Sequence, residues 1–344
     1  MKRFIAGKNE AEVRLSRFVS SVTEGLPSSL MYKSFRNRRI KVNGKKGAPD
    51  DRLCEGDVIE LYLNDEFFPA AAPREAAGTS PQAAMQTARQ TAAKAAAQAA
   101  SRPPRKRMPP PAVVCEDDNI AVLYKPAHLL CHSDRTGDPS LVEMFQNMLA
   151  QRGEYNAQAE ASFAPALCNR LDRGTEGLVL AAKNYAALRD MNEIIRLGLL
   201  QKEYCCITVG IPPKGRHTAY LRHTEKGNKA DVRATNAPGY KEIVTDVQIL
   251  QAKGPLALCR IGLITGRTHQ IRAHLAFLGA PVLGDLKYGN RKWNERLGRK
   301  TQELCAVCVR FAKIPAENTL CYLSERTVAL QHPEIEKRFA ALRL

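Results

Sequence analysis

Asn169-Arg170-Leu171-Asp172-Arg173-Gly174-Thr175-Glu176-Gly177 leads into the apolar run Leu178-Val179-Leu180-Ala181-Ala182. One carboxylate thus stands between two arginines in a glycine-punctuated loop that feeds a buried strand. Such a charge cluster is commonly a solvated surface turn with an Arg/Asp pair. The other reading is a catalytic carboxylate kept ionised by its neighbours, and the rest of the chain decides between them.

At 344 residues, with 44% hydrophobic and 25% charged residues, the chain is long enough for two domains and a real core. Fifty-two Lys and Arg against 35 Asp and Glu leave a net charge of +17, a surplus that favours a polyanionic partner such as RNA or DNA. The surplus divides into about +4 over residues 1–65, +5 over 66–111 and +8 over 112–344, so a polyanion is attracted along the whole length. An anionic membrane surface is the competing partner. No run reaches the roughly 18 apolar residues of a spanning helix, and residues 1–8 lack the apolar core of a signal peptide, so a cytoplasmic protein is expected.

The ten cysteines are scattered singly through apolar surroundings, which fits that compartment better than a disulfide framework. Cys305-Ala306-Val307-Cys308 has no second Cys or His pair to complete four ligands, so no metal site is expected. His128 and His132 would need a helix to converge, yet Pro126 and Ser133-Asp134 argue for a loop.

Leu15, Phe18, Val19 and Val22 predict an amphipathic helix within 11–23, and Pro27-Ser28-Ser29 opens a second helix with Met31 and Phe35 on its buried side. Arg36, Arg38, Arg39, Lys41, Lys45 and Lys46 then surround a short strand and an Asn43-Gly44 turn, and a second strand is expected over 58–63. This basic surface suits phosphate contacts, although a merely solvated charged face is the plain alternative. The order of elements over residues 10–64 resembles the small RNA-binding module named after ribosomal protein S-four.

From 66 to 111 the composition turns to Ala, Gln, Pro, Thr and Arg, which buries too little to hold a fold and reads as a flexible linker. Arg102, Arg105, Lys106 and Arg107 form a basic arm near its end. Folded sequence resumes over 112–344. Strands are expected at 120–124, 178–182, 202–209, 242–250 and 257–264, with helices opening after Ser140 and over 185–199. Leu188, Met191, Ile194 and Ile195 supply the buried stripe of the second helix. Strands outnumber helices, so the expected fold class is α+β: a mixed, mostly antiparallel sheet with flanking helices, plus the small N-terminal α/β-ribbon module.

Gly266-Arg267-Thr268-His269-Gln270-Ile271-Arg272-Ala273-His274-Leu275 follows the last of those strands. Ile271, Leu275 and Leu278 share a helical side, leaving Arg267, His269 and Arg272 to point toward a ligand near the helix N-terminus. A basic helix lying on RNA has the same pattern.

Taken in order, Lys125-Pro126 with His132, Arg170-Leu171-Asp172-Arg173 with Thr175 and Gly177, Lys202-Glu203-Tyr204, the 266–275 segment, and Gly279-Ala280-Pro281-Val282-Leu283-Gly284-Asp285 with Tyr288-Gly289 resemble the RluA family of RNA pseudouridine synthases. The likeness spans 112–340 and, with the N-terminal module, points to the branch that modifies large-subunit ribosomal RNA. It implies that Asp172 attacks the ribose or initiates elimination from it, that Arg272 is its cationic partner, and that Tyr204 stacks on the uracil. Arg170 would displace the target base, and Arg267 and His269 would bind substrate. The isomerisation is redox-neutral and transfers no external group, so no cofactor is expected. The family has His where this chain has Asn169, Asp-Thr-Ser-Gly where it has Gly174-Thr175-Glu176-Gly177, and Gly where it has His128. The expected protein is a monomer acting on ribosomal RNA. Transfer RNA as substrate, or a non-catalytic RNA-binding protein on the same fold, are the rivals.

Overall fold

The computed structural model describes residues 1–7, 9–68, 109–134, 137–156, 163–224 and 229–343. Residues 69–108 of the expected linker, with Arg102, Arg105, Lys106 and Arg107, lie outside these. Contacts divide the chain into two units, Met1–Pro109 with Gly153–Ala164 and Pro110–Arg152 with Pro165–Leu344.

In the first unit, strands β1 (Lys2–Ile5), β2 (Ile40–Val42), β3 (Lys45–Lys46) and β4 (Val58–Leu61) form a sheet in the order β1-β4-β2-β3. Helices Leu15–Val22 and Ser28–Arg36 turn Leu15, Phe18, Val19, Val22, Met31 and Phe35 inward. Asn43 and Gly44, with φ of 52° and 76°, make the tight turn between β2 and β3, and the Asn43 side chain accepts the Val58 N–H at 2.9 Å. Strand β4 stops at Leu61, short of the expected 63, although the Tyr62 N–H still bonds the Arg39 carbonyl next in register. Strand β1 escapes a reading of the sequence because it is four residues long and pairs with a strand more than fifty residues away.

The second unit is mixed α+β around one large sheet. Its strands are β5 (Ala112–Glu116), β6 (Ile120–Lys125), β7 (Ala166–Leu167), β8 (Glu176–Ala182), β9 (Leu200–Val209), β10 (Gly215–Thr224), β11 (Lys229–Arg233), β12 (Lys241–Lys253), β13 (Leu256–Leu263), β14 (Leu304–Phe311) and β15 (Thr327–Ala329). They run β11-β10-β12-β13-β9-β14-β8-β6-β5, with β15 on β14 and β7 on β8. Among the described residues every pairing in this sheet is antiparallel except β8 with β14.

That parallel pair sets the backbone of the Asp172 loop. Gly177 has φ of +115°, and a Cβ there would lie 2.2 Å from the Ala306 carbonyl oxygen, so only glycine lets β8 leave the loop at this angle. Leu178, Leu180 and Ala182 then join Val309 and Phe311 in a core closed by Ala187, Met191 and Ile194 of helix Tyr185–Arg196. Leu188 and Ile195, expected in that stripe, are only partly buried. The helix stops at Arg196, before the expected 199, where Gly198 adopts φ of 71° and ends it. Asn184 caps its start by accepting the Ala187 N–H at 2.8 Å.

On β9, Cys205, Ile207 and Val209 face the C-terminal helix Glu334–Ala340 through Ile335 and Phe339. The two-residue period therefore sends Tyr204 to the opposite face.

Candidate active site

Asp172 lies between β7 and β8, and its carbonyl accepts the Thr175 N–H at 3.0 Å. The loop is braced from beneath by Lys125, a fully buried lysine at the end of β6. Its Nζ donates to the carbonyls of Pro126, Leu129 and Arg173 at 3.0, 2.8 and 3.1 Å. Burial pushes this ammonium down to about 8, although the Cys131, Asp172 and Glu176 side chains oppose the shift. The Cys131 sulfur accepts the Leu171 N–H at 3.3 Å, and the Asn169 side chain accepts the Leu180 N–H at 2.8 Å. Asn169 thus ties the loop to β8. His128 has φ of 70°, the left-handed backbone that favours the glycine of the RluA pattern, and its ring meets the Thr301 hydroxyl at 2.7 Å.

Arg272 converges on the Asp172 carboxylate. Its Nη1 donates to Asp172 Oδ2 at 2.7 Å, while Nε and Nη2 donate to Asp285 Oδ2 and Oδ1 at 2.6 and 2.9 Å. The Arg272 and Asp285 side chains are 7% and 0% exposed and that of Asp172 is 26% exposed, so the outer carboxylate is partly open to solvent while the inner one is sealed. Burial alone would lower the Arg272 pKa, but the Asp285 and Asp172 carboxylates outweigh it and push it up. Burial likewise works against ionised Asp285, and the Arg272 guanidinium with the Lys287 and Tyr288 N–H groups holds it below its ordinary value.

Arg272 therefore does not extend freely toward a ligand, as the helical pattern alone predicts. The helix Gln270–Phe277 buries Gln270 through Leu275 continuously because it sits against β11 and β12. Gln270 fastens the preceding loop: its Oε1 accepts the Arg267 N–H at 3.0 Å and the Thr265 hydroxyl at 2.9 Å.

His269 has φ of 58°, and its Nε2 lies 3.9 Å from Asp172 Oδ2. Its Nδ1 meets the Tyr288 hydroxyl at 3.1 Å, and burial lowers its pKa despite Asp172. Tyr204 is buried, and burial, then the Asp172 charge, push its phenol up, so it is a neutral ring at ordinary pH. Arg170 and Arg267 are exposed. Arg170 reaches the vicinity of His132, whose pKa falls through burial and that positive charge. The structure thus gathers Asp172, Arg272 and His269, with Tyr204 within electrostatic reach, and leaves Arg170 and Arg267 on exposed loop surface.

In the first unit Arg36, Arg38, Arg39 and Lys45 are exposed, while the Lys41 ammonium lies 5.1 Å above the Tyr62 ring. Among the described residues, no three His, Cys, Asp or Glu side chains converge as a metal site requires, and no helix is long and apolar enough to cross a membrane.

The residue pattern alone leaves Lys125 and Asp285 without a role. Each nonetheless carries a signal: a charge directly continuing a fully apolar strand, and a carboxylate closing the apolar run 280–283, must find an opposite charge or several dipoles when buried.

This arrangement of carboxylate, guanidinium and neighbouring aromatic rings coincides with a family match. Residues 119–277 match the RNA pseudouridylate synthase family, a family of isomerases. It is 28% identical over 282 residues to the ribosomal large subunit pseudouridine synthase C of Rickettsia bellii, covering 81% of this chain and 83% of the relative. The synthase C of Escherichia coli K12 is 28% identical over 292 residues, 84% of this chain and 80% of that one. An uncharacterized RNA pseudouridine synthase of Mycoplasma capricolum is 26% identical across 98% of this chain and all of that one. The structure of human RNA pseudouridylate synthase domain containing 4 aligns with a TM-score of 0.47 at 22% identity, over 68% of this chain and 95% of that one.

Proposed function

We propose that this enzyme converts uridine to pseudouridine in large-subunit ribosomal RNA, with Asp172 as the nucleophile. The observation that carries the reading is Arg272 held by Asp285 and presented to Asp172. A guanidinium already fixed by a buried carboxylate meets the outer carboxylate without a conformational search.

The target nucleotide is extruded into the pocket, with Arg170 occupying the space it leaves. Asp172 attacks the ribose or initiates elimination from it as the bond from C1′ to N1 breaks. The uracil turns, C1′ bonds to C5 as Asp172 leaves the sugar or its proton returns to it, the C5 proton leaves, and N1 takes a proton, so substrate and product have the same composition. Tyr204, a neutral ring facing the site, supports the uracil by stacking. Arg267 and His269 at the helix start bind the sugar-phosphate of the substrate. The first unit serves as a module of the S-four type, with Arg36, Arg38, Arg39, Lys41 and Lys45 on RNA phosphates. No cofactor takes part. The relatives named as large-subunit synthases support ribosomal RNA over transfer RNA, while the +17 charge suits either polyanion.

Large-subunit ribosomal RNA carrying tritium at uridine C5 tests this. Release with the wild type and none with Asp172→Asn is the expected result. Release from transfer RNA alone would reassign the substrate, and release from neither would overturn the reading.

A further inference from the structure

The structure assigns a positioning role to Arg338 of the C-terminal helix: we propose that it holds the Asp172 loop in its reactive geometry through Glu176. The proposal rests on the reading of Asp172 as nucleophile and concerns residues that reading does not use.

Glu176 follows Asp172 by four residues and opens β8. One of its carboxylate oxygens, Oε1, accepts from Nη2 of Arg338, and the other, Oε2, accepts the Tyr124 hydroxyl at 3.1 Å. The same guanidinium donates through Nε to Glu303 Oε2 at 2.8 Å, and Glu303 Oε1 also pairs with Arg299 at 3.2 Å. The Glu176 and Glu303 side chains are only 12% and 7% exposed. Two carboxylates this poorly solvated repel each other unless a cation lies between them, and a forked guanidinium can serve both at once.

Both carboxylates are wired to the Asp172 loop. Glu176 lies opposite Cys305 in the parallel β8–β14 ladder, and the next pair is Gly177 with Ala306. Glu303 follows Gln302, whose side-chain amide donates to the Thr175 hydroxyl, and the Thr175 N–H in turn donates to the Asp172 carbonyl. Gln302 is also close enough to Gly174 that a Cβ there would stand 3.2 Å from it. Losing Arg338 therefore leaves Glu176 without its cation and Glu303 with Arg299 alone, next to the segment that aims Asp172 at Arg272.

The helix carrying Arg338 is anchored independently by Ile335 and Phe339, both fully buried. The guanidinium can thus be removed while the helix stays docked, which separates positioning from folding. The position of Glu176 is one where this chain departs from the Ser of the RluA pattern, so the clamp is a property of this chain's own loop.

The test compares Arg338→Gln, Arg338→Lys, Glu176→Gln and the Glu176→Gln/Arg338→Gln pair in the full-length enzyme, by tritium release at saturating and limiting RNA and by thermal melting. Arg338→Gln is expected to lower kcat roughly 10- to 100-fold with KM changed less than about threefold, as a misplacement of the order of 1 Å would. Arg338→Lys should recover part of that loss, since an ammonium can serve one carboxylate but not both in fork geometry. In the Glu176→Gln background the further loss from Arg338→Gln should shrink, because one of the repelling charges is gone. A melting temperature that falls while kcat of the folded variants stays within twofold of wild type would overturn positioning and leave a structural role. Equal losses from Arg338→Gln in both backgrounds would overturn the route through Glu176. Asp172→Asn is run alongside: full tritium release from it would refute the nucleophile reading itself, a result separate from any outcome at Arg338.

Discussion

Asp285 takes two N–H groups of Arg272, at 2.6 and 2.9 Å, and so fixes the direction in which the third group of the same guanidinium meets Asp172. Asp285→Asn keeps the shape but removes the charge that holds the fork. We expect kcat to fall about 100-fold through misdirection of Arg272, and stability to fall by about 3–5 kcal/mol because a buried cation loses its partner. Tritium release at saturating RNA and urea unfolding read the two effects separately. A variant with wild-type kcat would show that Asp172 needs no aimed guanidinium.

His274 supplies the pH dependence. Its side chain is fully buried, Nδ1 meets the Thr245 hydroxyl at 3.0 Å, and Nε2 has no hydrogen-bond partner among the described residues. Burial, with His217 adding to it, lowers its pKa from 6.5 to about 4. Since the unfolded chain takes up this proton first, the stability it contributes is complete above pH 6.5 and is lost as pH falls from 6.5 toward 4. The loss amounts to at most about 3 kcal/mol. Urea unfolding at about pH 7 and about pH 5 should show the difference, and His274→Gln should flatten it. An unchanged slope in that variant would assign the pH dependence to other groups.

Gly177→Ala probes the close approach of β8 and β14. A Cβ placed 2.2 Å from the Ala306 carbonyl at φ of +115° forces the strands apart. A loss of about 1–3 kcal/mol in urea unfolding is expected, as for other overpacked sites. Alanine tolerated without loss would mean that the two strands separate easily.

Arg36, Arg38 and Arg39 stand exposed in the first unit. Replacing each by Ala should weaken RNA binding across sequences and reduce the slope of log affinity against log salt by about one for each phosphate no longer neutralised. Binding isotherms between low and moderate salt measure this, and an unchanged slope would remove these arginines from the RNA interface.

Local order in this chain is largely readable from residue pattern. Helices Leu15–Val22 and Tyr185–Arg196 follow from apolar spacing, and the Asn43-Gly44 turn from its two residues. Strands β10 and β11 are hidden because few of their residues are buried and Gly, His, Thr and Arg obscure the alternation. The candidate site is legible only as motifs in an order, and it is their resemblance to the RluA pattern that singles out Asp172, Tyr204 and Arg272.

Composition and periodicity by themselves determined an α+β chain, because the alternation of apolar residues and the positions of Gly and Asn are local properties, and the order of the motifs carried its resemblance to the RNA pseudouridine synthases. Only the tertiary structure decided that Arg272 is shared between two carboxylates, that Lys125 props the loop from beneath, and that Arg338 reaches Glu176 from the far end of the chain. Those contacts span 100, 13, 48 and 162 residues, three of them between opposite charges and the third in that order from an ammonium to a backbone carbonyl. A buried charge must be compensated, but the sequence says only that it needs a partner, and the fold says which one.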